Sequence, residues 1–247
     1  MFLTVLGIAG AIALAVWAAA EAEKRRKARI AAMRELAQRL GLSFMQPKDT
    51  GHDEQFAHFE LFRRGFARAA YNTIEGDVDV RGHRARCRMG DFTYKTRHTS
   101  TTTDSKGRTR TRTRTVTHRF SYFILDLPFE GVPDMLIRRE GFFDKVAAAF
   151  GKNDIDFESS EFSRKFFVQC DDRRFAYDII HPRTMEFLLA TEPTLVDMEH
   201  TRICLSDGHS HWDAERFEGS LGWTLEFLEH WPGYVVKDLA GGANRPR

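Results

Sequence analysis

The chain has 247 residues, 42% of them hydrophobic, which is ample for a packed core and excludes a disordered chain. Its 37 basic and 35 acidic residues leave a net charge of +2, too weak a field to draw nucleic acid to the whole molecule, so an electrostatic partner must meet a local patch. Cys87, Cys170 and Cys204 are odd in number and far apart, which fits neither a disulfide framework nor paired zinc ligands and points to buried thiols in a reducing compartment.

The first element is FLTVLGIAGAIALAVWAAA, residues 2–20, nineteen residues without a charge. As helix it spans roughly 28 Å, enough to cross a bilayer. Residues 1–20 are therefore expected to form a transmembrane helix. A cleaved signal peptide normally opens with basic residues, but here the charges follow the apolar run: Lys24, Arg25, Arg26, Lys27 and Arg29. That collar places the body on the cytoplasmic side of the inner membrane by the positive-inside rule, as a single-pass protein, and anionic lipid would hold it. Gly7, Ala11, Ala15 and Ala19 are spaced by four and line one helix face, an arrangement suited to a homo-oligomer within the membrane.

Residues 21–41 continue as an amphipathic helix. Ile30, Met33, Leu36, Ala37 and Leu40 recur at helical spacing, and Gly41 suits the position just past the end. Residues 42–240 are expected to form a cytoplasmic α+β domain with two halves. In 42–139 the reading is mostly antiparallel strand; His83, Ala85, Cys87 and Met89 share a face, and Gly90 sits where a bulge would shift the phase to Phe92 and Tyr94. In 140–240 the elements mix: a helix over 142–150, a strand over 162–170, a helix from 173 begun by Asp171 or Asp172, a helix opened by Pro182, strands near 195–199 and 201–205, and a long helix that Pro232 and Gly233 stop. Strands first and helices interspersed later favour α+β over a parallel sheet. Residues 241–247 read as a disordered tail.

One stretch stands apart. In KGRTRTRTRTVTHRF, residues 106–120, Arg108, Arg110, Arg112 and Arg114 alternate with threonines at the period of a strand, and Asp104 to Gly107 supply turn chemistry. The stretch reads as one arm of a β-hairpin whose other arm is 92–103. The arginines share parity with Phe120, Tyr122 and Ile124, so the basic face prolongs a core-facing one. Burying them unpaired would cost several kcal/mol, so the arm must project beyond the core. There it can remain solvated and block edge-to-edge pairing, or meet anionic lipid headgroups or an acidic protein surface. It lacks the aromatic stackers expected of a nucleic-acid surface.

AYNTIEG at 70–76, GDFTYKT at 90–96, the run from Gly141 to Asp172 ending in EFSRKFFVQCDD, and HPRTMEFLL at 181–189 resemble a family of uncharacterised bacterial membrane-anchored proteins. The resemblance covers about residues 41–189, and its most specific part is EFSRKFFVQCDD with the His-Pro-x-x-Met segment after it. It implies a membrane-anchored architecture and no activity, cofactor or catalytic residue. The arginine-threonine stretch departs from that family's short polar loop.

Signs of catalysis are sparse. CLSDGHSHWDAE gathers Cys204, Asp207, His209, His211 and Asp213, all metal-ligating types, while the same residues also read as a turn followed by a helix cap, with Ser210 at the cap and Asp213 closing a capping box. The carboxylate pairs Asp154–Asp156, Glu158–Glu161 and Asp171–Asp172 read more simply as caps. No nucleophile elbow, Walker loop, dinucleotide glycine motif or Cys-x-x-Cys is present. The sequence thus favours a membrane-anchored, non-catalytic binding or scaffolding module without a cofactor and without nucleic acid as a partner. The alternative is a metal-dependent enzyme centred on His209 and His211.

Overall fold

The structure, a computed structural model, describes residues 2–103, 107–141 and 155–240, and for residues 2–12 the backbone alone. Helix α1, Phe2–Leu40, runs without interruption through the apolar run, the basic collar and the amphipathic segment. Its last turns bury Ile30, Met33, Leu36 and Ala37 against the body. It ends at Gly41, φ +66°, where Leu42 N–H donates to the Ala37 carbonyl at 2.8 Å and Gly41 N–H to that of Gln38 at 3.2 Å. This paired closure needs a left-handed residue and explains the glycine. Among the described residues no helix is long and apolar enough to cross a membrane. The side chains of residues 1–12, most of the expected span, lie outside the described residues, as do those of Gly7 and Ala11.

The body is built on one eight-stranded sheet, every neighbouring pair antiparallel: β1 Ser43–Met45, β2 Phe66–Val80, β3 His83–Thr103, β4 Thr109–Asp126, β5 Met135–Arg139, β6 Phe166–Cys170, β7 Leu195–Glu199 and β8 Arg202–Ser206. The spatial order is β1-β2-β3-β4-β8-β7-β5-β6, so β7 and β8 from the second half of the chain lie between β4 and β5 from the first. The α+β class follows directly from this sheet and its helices.

The centre of the sheet is buried on both faces, which is why β4 reads FSYFIL without alternation. Phe123 and Leu125, with Cys87 and Met89 of β3, pack against the end of α1 and against α4 (Arg173–Ile179), α5 (Pro182–Thr191), α6 (Ala214–Glu229) and α7 (Gly233–Ala240). Phe120, Tyr122 and Ile124, with Phe92 and Tyr94, pack under Phe56, Phe59 and Phe62, carried by the short helix α2 (His52–Gln55) and the 3-10 turn Glu60–Arg63. Val-, Leu- and Phe-sized side chains contribute about 1.5–3 kcal/mol each when fully buried, so two such layers hold the middle strands firmly.

Several expectations need correction. Phe92 and Tyr94 are not phase-shifted by a bulge at Gly90; β3 pairs with β4 without a break, and the two residue sets simply face opposite cores. The bulge lies across from Gly90, on β2, where Tyr71 to Ile74 oppose Asp91 to Met89. A Cβ at Gly90 would meet Thr73 Cα at 3.1 Å and the Asn72 carbonyl at 3.2 Å, so the glycine makes room for the bulged strand. Residues 160–165 form the short helix α3 (Ser160–Lys165), because the Ser159 hydroxyl caps Phe162 N–H at 3.2 Å; only 166–170 is strand. Pro232 and Gly233 end α6 but also open α7, which buries Val235 and Leu239. Helix α6 is capped by Asp213, accepting from Arg216 N–H at 2.8 Å, not by Ser210. The helix expected over 142–150, the carboxylate of Asp154 and the tail 241–247 lie outside the described residues.

Candidate contact surface

The β3–β4 ribbon continues past the body with the same pairing that holds it inside, from Cys87↔Leu125 out to Thr103↔Thr109. Every residue of 97–103 and 109–115 is exposed. At about 3.4 Å per residue this arm projects on the order of 20 Å. Residues 104–106 lie outside the described residues, and Gly107 has φ +75°. The arm separates its chemistry by face. On one side Thr99, Thr101 and Thr103 oppose Thr113, Thr111 and Thr109 with hydroxyl oxygens 3.3–3.4 Å apart. On the other, Arg114, Arg112 and Arg110 oppose His98, Ser100 and Thr102. Among the described residues no carboxylate lies within 4 Å of Arg110, Arg112 or Arg114, whereas most arginines of the body are ion-paired. Arg108 lies just before β4 and is likewise exposed.

The collar is not uniform. Arg25 pairs with Glu21 at 3.1 Å, and Arg26 and Lys27 with Glu23 at 2.7 and 3.9 Å. Such exposed i,i+3 and i,i+4 pairs contribute only a few tenths of a kcal/mol each, leaving the cations available to other anions. Arg29, expected in the same solvated ring, instead turns inward. Its Nε donates to Asp91 Oδ2 at 2.8 Å and its Nη1 to the Trp212 carbonyl at 2.7 Å. Asp91 is fully buried and accepts also from Asn72 Nδ2 at 3.0 Å and Ser121 Oγ at 2.8 Å; the Trp212 amide donates to Ser121 Oγ at 2.9 Å. One bidentate pair thus ties α1 to β2, β3, β4 and the loop before α6, which fixes how the helix leaves the body.

The His-x-His segment does not gather its ligands. Burial acts to raise the Asp207 carboxyl, but hydrogen bonds from Ser210 Oγ, the amides of His209 and Ser210, and Trp212 Nε1 outweigh it and hold the group below its ordinary value. Arg216 adds an ion pair at 3.1 Å. Asp207 is thus committed to its own turn. His209 Nδ1 donates to the Asp207 carbonyl, and its side chain is 73% exposed. His211 turns away to Tyr71, with Nε2 and the phenol oxygen 2.9 Å apart. Cys204 is buried on the far face among aromatic side chains, where burial pushes its thiol well up. These positions explain the segment as a capped turn.

Among the described residues one group of three metal-ligating side chains does converge, Asp134, Glu199 and His200, with ligand atoms within 4.8 Å of one another. Asp134 Oδ1 already accepts from the His200 amide at 3.0 Å, and His200 is exposed. Burial, then Asp134, raises Glu199 to about 7. Sixty-six residues separate Asp134 from His200, so no local motif announced the group. Asp172 is the cap of α4, accepting from Phe175 N–H at 3.1 Å, as its place in sequence implied. All three cysteines are free and buried.

No family model matches the chain, and no curated protein does. Among solved structures, it is similar to the crystal structure of the mycobacterial trehalose monomycolate transport factor A, TtfA, over 88% of this chain and 98% of that one, at 8% identity and a TM-score of 0.47. A likeness of that degree assigns neither fold nor function.

Proposed function

We propose that the chain is a single-pass protein of the inner membrane whose cytoplasmic α+β body is a binding or scaffolding module without chemistry of its own, and that the arginine face of the ribbon is its contact surface. The observation that carries this is the ribbon: an arm with no core of its own, Arg110, Arg112 and Arg114 on one face, and among the described residues no carboxylate within 4 Å of them. An arm serving only to block edge pairing needs a charge or two, not a continuous face of them. The uncharged run 2–20, continuous in one helix with the docked segment 30–37, supports the anchor. Anionic headgroups are the favoured contact, because a body tied to the bilayer meets them at high local concentration and each basic residue near the surface contributes about 1 kcal/mol.

The test places a fluorophore at Thr111→Cys, on the threonine face, in full-length protein reconstituted into nanodiscs; the native thiols are buried and do not compete for label. Energy transfer to a headgroup-labelled lipid should rise when phosphatidylcholine discs are replaced by phosphatidylglycerol-rich ones. The rise should vanish when Arg108, Arg110, Arg112 and Arg114 are all replaced by Gln. Transfer that ignores both the lipid and the arginines overturns the reading.

A further inference from the structure

A second basic surface lies where α1 enters the body. A cleft of about 890 Å³ opens between the α1 residues Arg25, Arg26 and Arg29 and the sheet residues Lys95 and Arg119, with Lys48 from the loop after β1 at its rim. Six cations line it and no carboxylate does. Arg25, Arg26 and Arg29 have the acidic partners described above, all outside the lining. Among the described residues Lys48, Lys95 and Arg119 have no carboxylate within 4 Å, so the cleft holds a net positive charge contributed from the loop after β1, β3 and β4.

The cleft is shaped as well as charged. Strand β2 breaks register with β3 twice, between Phe66 and Ala69 and between Tyr71 and Ile74, and each break contributes a residue in the left-handed region to the lining: Ala67 at φ +52° and Asn72 at φ +49°. Neither is glycine, and such backbone is kept only where surrounding contacts enforce it, commonly beside binding sites. Both breaks in register lie along the cleft. Below it, Arg29 is held rigidly by buried Asp91, and Asn72 by the same carboxylate. Thr93 and Thr117 add hydroxyls, and Tyr71 with His211 closes one side through their 2.9 Å contact. Burial, together with the Arg29 and Arg119 cations and against Asp91, keeps His211 below its ordinary value. Ala22, Ile30 and Ala67 supply an apolar wall.

We propose that this cleft binds a phosphate-bearing anion, and that the anion is the headgroup of a membrane phospholipid. The phosphate chemistry stands on the cations alone; the lipid source rests on the anchored reading given above. Position favours the lipid. Arg25 to Arg29 lie roughly 8–14 Å beyond Ala20 along the helix. The headgroup zone extends about 5–8 Å from the hydrocarbon, so the end of the cleft marked by Ala22 and Arg25 reaches headgroup level, and the rest opens just beyond it. A headgroup phosphate there would take charge-assisted hydrogen bonds from Arg119 and Lys95 on the sheet side and Arg25 or Arg26 on the helix side, bridging the two.

The test titrates the full chain, in a neutral detergent, with dioctanoyl phosphatidate, inorganic phosphate and dioctanoyl phosphatidylcholine by calorimetry. Phosphatidate should bind and phosphatidylcholine should not. The double variant Lys95→Gln with Arg119→Gln, both exposed and free of internal ion pairs, should weaken binding by at least about tenfold while leaving the circular dichroism spectrum unchanged. Phosphatidate binding tighter than inorganic phosphate assigns the lipid as source; equal affinities assign free phosphate. Absence of binding by both anions overturns the proposal, as does binding that survives the double variant. The fourfold ribbon variant serves as the reference. It should bind phosphatidate as the wild type does even if the ribbon fails its own test, and a loss there would move the anion from the cleft to the ribbon.

Discussion

The inner and outer parts of the β3–β4 ribbon share one backbone and one unbroken register, yet they are stabilised by different means. From Cys87 to Tyr94, against His118 to Leu125, side chains on both faces enter a core: Met89 and Phe123 on one, Phe92 and Phe120 on the other. From Arg97 outward both faces meet water, and what remains is the hydrogen-bond ladder and the facing threonine pairs, worth roughly 0.2–1 kcal/mol each. Two-stranded hairpins are marginal by themselves, so the arm persists because the inner half presets its pairing. The buried side chains of the inner part are therefore structural, and those in the outer part are free to serve contact.

The sharpest break in this contrast lies at Asp91, the deepest charge of the inner half. Replacing it with Ala leaves Arg29 without its carboxylate and deprives Asn72 Nδ2 and the Ser121 hydroxyl of their acceptor. Removing one partner of a buried ion pair typically costs about 3–5 kcal/mol. Urea unfolding of the full chain should show a loss of that size, together with loosening of α1 from the sheet, seen as faster amide exchange over 29–37. A loss below about 1 kcal/mol would mean that water reaches the network and that α1 is docked by Ile30, Met33 and Leu36 alone.

Acid should reach the inner half and spare the outer. His52 is buried in a box of Phe56, Phe62, Phe92 and Tyr122, with Nδ1 3.5 Å from the Tyr122 hydroxyl and Nε2 without a partner. Burial, reinforced by the Arg88 cation, lowers its pKa from 6.5 to about 3. The folded state therefore holds the neutral ring. Its contribution is complete above pH 6.5 and is lost as pH falls toward 3, because the unfolded chain takes up the proton first. Between pH 7.5 and pH 5 this one group should remove about 2 kcal/mol. The variant His52→Phe should show a correspondingly flatter dependence over that range. Identical slopes in variant and wild type would sink the assignment.

What could be read in advance follows the same division. The amphipathic end of α1, its Gly41 stop, the cap of α4, the Pro182 start of α5 and the projecting ribbon each rest on residues within a few positions of one another, where periodicity and capping act. The aromatic layer carried by 52–63 escaped, because Phe56, Phe59 and Phe62 acquire meaning only once Phe92 and Phe120 lie beneath them. Gly90 was recognisable as a feature of a bulge, but which strand bulged depended on a partner that sequence does not name. Arg29 looked like its neighbours in the collar; its distinction is a carboxylate 62 residues away. The cleft is the extreme case, assembled from α1, the loop after β1 and three strands.

The smallest effect is the one that separates the arm from the body most cleanly. Along the basic face, successive arginines are two residues apart on one strand, about 7 Å, and in high dielectric each such pair repels by roughly 0.6 kcal/mol before screening. Physiological salt, with a Debye length of about 8 Å, reduces this further. Replacing Arg108, Arg110, Arg112 and Arg114 together with Gln removes that repulsion and, at Arg110, Arg112 and Arg114, takes away no ion pair with a described residue. Unfolding free energy should thus stay within about 0.5 kcal/mol of wild type, or rise slightly, with the rise shrinking as salt is added. The same variant is expected to abolish lipid contact by the ribbon. A stability loss above about 1 kcal/mol would instead make the arginines part of what holds the arm in place, and binding losses in that variant would then report on folding.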